Sequence, residues 1–122
     1  MTSDIVALVR NEPDISTVVE GMIAFGESLR VREAGTGGLH LYDLDGRLAV
    51  SIEAPELVRV PGEVERLLGP QMAGKVRLPT WWVEVRAAAG VPEARRIARR
   101  FADDIVHWQG GAVWPPPPEE AP

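Results

Sequence analysis

Two stretches of this chain repeat an apolar residue every third or fourth position, and that spacing restricts the fold more than any other feature. In the first, Ile15, Val18, Val19, Met22 and Ile23 form one stripe behind Asp14, a residue suited to capping a helix N-terminus. In the second, Ala94, Ile97, Ala98, Phe101, Ala102 and Ile105 form an unbroken stripe behind Pro92, which suits a first helical turn. Helices over 14–27 and 92–108 are therefore predicted, each with a single face to bury. Such helices need an apolar layer beneath them, and the segments around them read as strands.

Ile5 to Val9 is a short continuous apolar run, as in a strand buried on both faces. Leu29 to Ala34 alternates enough for a second strand, and Gly35-Thr36-Gly37-Gly38 is a turn. Asp45-Gly46 favours a two-residue type I′ hairpin turn. That turn sets Leu44 opposite Arg47, Asp43 opposite Leu48, Leu41 opposite Val50 and Leu39 opposite Ile52. One hairpin face then carries Leu39, Leu41, Leu48, Val50 and Ile52, and the other His40, Tyr42, Leu44, Arg47, Ala49 and Ser51.

Pro55 interrupts the pairing, and Leu57 to Val60 resumes it as an edge strand. Pro61-Gly62 opens a short helix with Val64, Leu67 and Leu68 on one side, closed by Gly69-Pro70, and residues 70–79 read as a surface loop. Trp81 to Arg86 alternates again, with Trp81, Val83 and Val85 on one face and Trp82, Glu84 and Arg86 on the other. Gly110-Gly111 stops the second long helix, and Ala112-Val113-Trp114 forms a last strand.

The order strand–helix–strand–strand–strand, short helix, strand–helix–strand holds two split βαβ units. It predicts an α+β two-layer sandwich, ferredoxin-like or an elaboration of it. A mostly antiparallel sheet of five to six strands carries both long helices on one face. Residues 1–114 form the single domain, and the proline-rich acidic segment 115–122 is a stiff polar tail.

At 122 residues such a domain buries roughly two-thirds of its extended surface, so no disulfide or metal is needed for stability. Cysteine is absent, which removes disulfides, cysteine–zinc sites, iron–sulfur clusters and thiol nucleophiles. The start Met1-Thr2-Ser3-Asp4 lacks the basic region of a secretory signal, and no apolar run approaches the ~20 residues of a membrane span. A cytoplasmic location is expected, with no membrane partner. The net charge of −5 argues against nucleic acid.

No catalytic or ligand-binding motif stands out. The one basic cluster is Arg95, Arg96, Arg99 and Arg100. It reads as a solvated helix face, because Glu93, Asp103 and Asp104 stand three or four residues away as neutralising partners. The glycine run at 35–38 leads into a strand, unlike a phosphate loop. Asp43-Leu44-Asp45-Gly46 fails as a calcium loop, since Leu41 and Ile52 fall where the first and last ligands belong. No metal or cofactor is expected. His107 sits near a helix C-terminus, where a protonated imidazole complements the dipole.

Trp81 and Trp82 are adjacent, so in a strand one faces the helices and the other the opposite side. That second sheet face gathers Trp82, Trp114, Tyr42, His40, Glu84 and Arg86, a mix of aromatic and charged groups typical of protein interfaces. The competing reading covers the face with the 70–79 segment and the tail. The sequence thus points to a partner-binding protein, regulatory or immunity-type, docking another protein or a second copy through an open sheet face or edge. The alternative is a small-molecule or enzymatic pocket around His40, Tyr42 and Ser51. A nucleic-acid contact through the Arg95–Arg100 helix face comes third.

Overall fold

The structure, a computed structural model, describes residues 2–116. Seven strands build one antiparallel sheet: β1 (Thr2–Val9), β2 (Arg30–Glu33), β3 (Leu39–Tyr42), β4 (Leu48–Ile52), β5 (Glu56–Val58), β6 (Thr80–Ala88) and β7 (Gly111–Trp114). They lie in the order β2-β3-β4-β6-β1-β7, and β5 pairs with the first part of β6, beyond the point where β4 leaves it. The fold is α+β, as the sequence predicts, with more strands than expected. β6 and β7 run parallel with β1 between them, and β1 and β4 run parallel with β6 between them.

The two long helices, α1 (Ile15–Ala24) and α4 (Ala94–Gln109), share one apolar core with the same sheet face. α4 lies directly over β1 and β6. Ala94, Ala98 and Ala102 recur at every fourth position on its buried side and, being small, let its backbone come close to β1. α1 leans on α4 and contributes Ile15, Val19 and Met22 to the core. Its start is fixed by Asp14, whose carboxylate accepts hydrogen bonds from the Thr17 amide (3.2 Å) and hydroxyl (2.8 Å). Ile23, assigned to the apolar stripe by spacing, is instead exposed. Pro92 also stays outside its helix: α4 starts at Ala94, after Glu93 in a left-handed conformation (φ 71°).

The opposite sheet face is covered at one end. Two short helices, α2 (Glu63–Leu68) and α3 (Pro70–Ala73), set Val64 and Met72 against Val6 and Leu8 of β1, with Trp82 and Trp114 at the margin. Residues 70–79 are therefore more than the surface loop their composition suggests. Fully burying a side chain like Met72 is worth roughly 1.5–3 kcal/mol, enough to hold a one-turn helix too short to persist alone.

The β3–β4 turn also differs from expectation. The Gly46 amide donates to the Asp43 carbonyl (3.0 Å) and the Asp43 amide to the Arg47 carbonyl (2.9 Å), which closes the loop one residue earlier than a type I′ turn would. Asp45 lacks the positive φ that type I′ requires, and Gly46 takes it instead (φ 85°), the pattern of a type I turn followed by a bulge. Asp43 stabilises this closure by accepting from the amides of Asp45 and Arg47. A second irregularity cancels the slip: Tyr42 pairs with Leu48 but Leu41 with Val50, so Ala49 is the extra residue. Leu41–Val50 and Leu39–Ile52 pair as predicted, while Ala49 joins the core and Leu48 turns outward, the reverse of their predicted faces. Among the described residues, no helix is long and apolar enough to cross a membrane.

Candidate functional site

Cross-strand pairing assembles the predicted face. Asp4 opposes Arg86, Arg86 opposes Ser51, Ser51 opposes His40 and His40 opposes Arg32, a row that crosses five strands on the side away from α1 and α4. Arg86 lies 3.9 Å from Asp4 and 3.6 Å from Glu84. His40 meets the Tyr42 ring edge-on at 6.4 Å, and the Arg32 guanidinium stands 5.8 Å from that ring's centre. His40, Tyr42 and Glu84 are half-buried, and Arg86 is exposed.

Trp82 and Trp114 belong elsewhere. Trp81 packs into the main core, as the alternation requires, and Trp82 points to the other face. There it and Trp114 lean on the cluster formed with α2 and α3, so both indoles serve as half-buried packing. The six predicted residues therefore split into a packed tryptophan pair and an open polar group.

His40 and Ser51 are cross-strand neighbours, yet no hydrogen bond joins them among the described residues. Five surface cavities are lined by residues other than His40, Tyr42 and Ser51. None of these five supports the enzymatic alternative. The arginine cluster reads as structure. Arg96 makes a bidentate pair with Glu27 (3.1 Å each) and also bonds Glu93, while Arg100 reaches both Glu27 (3.7 Å) and Asp104 (3.8 Å). Arg99 pairs with Asp103 and donates to the Pro115 carbonyl. Arg95 alone of the four makes no ion pair among the described residues. Also among the described residues, no cluster of three or more histidine and carboxylate side chains could hold a metal ion.

A stronger surface lies on the helical layer. Phe25, just past α1, is 85% exposed, and Trp108, in the last turn of α4, is 79% exposed. They border a groove of about 450 Å³ between the two helices, floored by Val18 and Gly21. Its rim carries Asp14 and Asp104, and the Gln109 side-chain oxygen beside it is buried without a hydrogen-bond partner. The Thr17 hydroxyl, followed by its amide, holds the Asp14 carboxyl below its ordinary pKa, so Asp14 stays anionic near neutrality. Sequence spacing misses this site because Phe25 and Trp108 lie 83 positions apart in the numbering and come to line one groove only through the packing of α1 on α4. No local signal marks it: Trp108 stands three residues after Ile105 and seven after Phe101, so spacing places it on the apolar stripe of α4 although it is exposed. Among known proteins, no family model, no curated protein and no solved structure matches this chain.

Proposed function

We propose that this chain is a partner-binding protein of the cytoplasm, regulatory or immunity-type, which docks a basic protein through the groove between α1 and α4. The observation that carries the reading is the pair Phe25 and Trp108, two large aromatic side chains held almost wholly in water on either side of an apolar floor. Exposed aromatics around an apolar depression are the usual anchors of a protein interface. The acidic rim at Asp14 and Asp104, on a chain of net charge −5, favours a partner element with one apolar side chain to insert and lysine or arginine beside it. The strand order β7-β1-β6-β4, with its two split βαβ units, supports reading the scaffold as an elaborated ferredoxin-like plan.

The open row Arg32–His40–Ser51–Arg86 supports a second docking surface on the sheet, since no helix covers it. A photo-crosslinking residue placed separately at positions 25, 108, 42 and 59 in the native host tests both surfaces. The groove reading expects one basic protein captured from positions 25 and 108 and not from 59. The purified partner should then lose about 100-fold in affinity for Trp108→Ala, a loss typical of an interface anchor. Capture from position 42 alone, or of a second copy of this chain, would overturn it.

A further inference from the structure

A cavity of about 540 Å³, distinct from the groove in all its lining residues, lies at the sheet end where β1 finishes and β6 and β7 begin. Its floor is the buried pair Leu8 and Val9, and the segment from Gly74 to Pro79 forms one wall. Three cations line it: Arg10, just past β1, with Lys75 and Arg77 from that wall. Among the described residues no carboxylate lines it, although acids outnumber bases 18 to 13 in the chain. None of the three cations stands within 4.0 Å of a carboxylate among the described residues, unlike Arg96, Arg99 and Arg100.

The other groups fit the same chemistry. Thr80, only 2% exposed, donates its hydroxyl to the Val9 carbonyl (3.2 Å), which pins the mouth of the cavity between β1 and β6. Gly110 and Gly111 form the remaining wall, so backbone is presented without a side chain in front of it. Three like charges around one concavity repel each other, and in an acidic protein free carboxylates could have neutralised them. A multiply charged anion removes that repulsion, and a volume of this size suits a small molecule. Arginine and lysine together are suited to phosphate oxygens, the guanidinium as a fork and the ammonium as a point charge.

The geometry points to a binding site for a small soluble anion of clustered charge, such as a diphosphate or a polycarboxylate, held by Arg10, Lys75 and Arg77. The site shares no residue with the protein-docking groove, although Gly110 of the one directly follows Gln109 of the other.

Titration calorimetry with inorganic pyrophosphate at low ionic strength tests it, read in parallel by the tryptophan fluorescence, to which Trp81, the neighbour of Thr80 in β6, contributes. Saturable binding at a ratio of one is expected, weakening as salt rises. Arg10→Ala, Lys75→Ala and Arg77→Ala should each weaken it about tenfold, the scale of one charge-assisted contact. Circular dichroism confirms the fold of each exposed-site variant. Citrate in a second arm identifies the class: equal affinity assigns the site to clustered anions generally, and a clear preference for pyrophosphate assigns it to phosphoryl groups. Absence of binding at millimolar pyrophosphate overturns the proposal. So does binding that survives the triple substitution, or capture of a short oligonucleotide where pyrophosphate fails.

Discussion

Two glycines show how differently one residue type can act in this chain. Gly111 opens β7 at φ 140°, and a Cβ there would overlap the Leu8 carbonyl across the β1–β7 pairing. Gly111→Ala must therefore break backbone pairing or shift β7, and we expect a loss of about 3 kcal/mol or more in urea unfolding. Gly21 sits inside α1 with open space where a Cβ would go. Gly21→Ala should raise stability by roughly 0.5–1 kcal/mol, seen as a higher urea midpoint at unchanged slope. The same change narrows the groove that Gly21 floors, so it should weaken partner capture while strengthening the fold. Asp14 was legible as a cap because the chemistry of a helix start is local. The demand of Gly111 was not, because Leu8 lies about a hundred positions away.

Carboxylates also set a pH dependence. Asp14 is held below its ordinary pKa chiefly by the Thr17 hydroxyl, and Asp43 chiefly by the Arg47 amide. Both are depressed in the folded state, so their stabilisation is complete above the unfolded value of about 3.9 and is lost as pH falls through the folded values. Thermal unfolding followed from pH 6 down to pH 2 should show stability falling below about pH 4. The double variant Asp14→Asn, Asp43→Asn should start less stable and show a shallower fall.

At the scale of elements, local period was read well and closure less well. The stripes of α1 and α4 and the alternation of β6 came through because each follows from repeat distance along one segment. The β3–β4 hairpin kept its register at Leu39 and Leu41 although its turn was of another type, since the bulge at Ala49 restores the residue lost at Gly46. Two compensating irregularities leave the pairing at the far end unchanged, and turn preference alone does not reveal them. The short helix α3 was missed for a related reason: its four residues are held by burial of Met72 against β1, a long-range effect.

The arginine face of α4 has a structural duty that sequence spacing showed only in part. Its partners along the helix were visible, but Glu27 was not. This side chain is only 10% exposed and ties the segment after α1 to both Arg96 and Arg100. Removing its charge leaves two guanidiniums facing each other. Glu27→Gln should cost about 1–3 kcal/mol, and calorimetry should place most of the loss in a lower unfolding temperature. An unchanged melting profile would mean that the pair is solvated and that α1 is held by Ile15, Val19 and Met22 alone.

Over the whole molecule, the sheet divides its two faces unequally. One is closed by α1 and α4, and the other is closed only where α2 and α3 sit. Residue alternation along the strands points to that second face as the functional one. The structure leaves His40, Tyr42 and Arg86 there in the open but gives both Trp82 and Trp114 to packing. The most exposed aromatics, Phe25 and Trp108, stand on the opposite side of the molecule, beyond the reach of any pattern within one element.

The free margins of the sheet carry a further consequence. β2 and β7 end the strand order, as β5 does beside it with its single partner, and a flat margin of that kind can recruit another chain into a growing sheet. At β2, the faces of two copies stay aligned only if a twofold axis passes through a residue. Whichever of Arg30, Val31 or Arg32 it passes through, arginine then meets arginine across the new pairing. At β7, Pro115 and Pro116 follow immediately and have no amide hydrogen to extend the ladder. The fold thus limits lateral growth at both ends of its strand order, and concentrated solutions of this protein should remain clear of fibrils grown from β2 or β7.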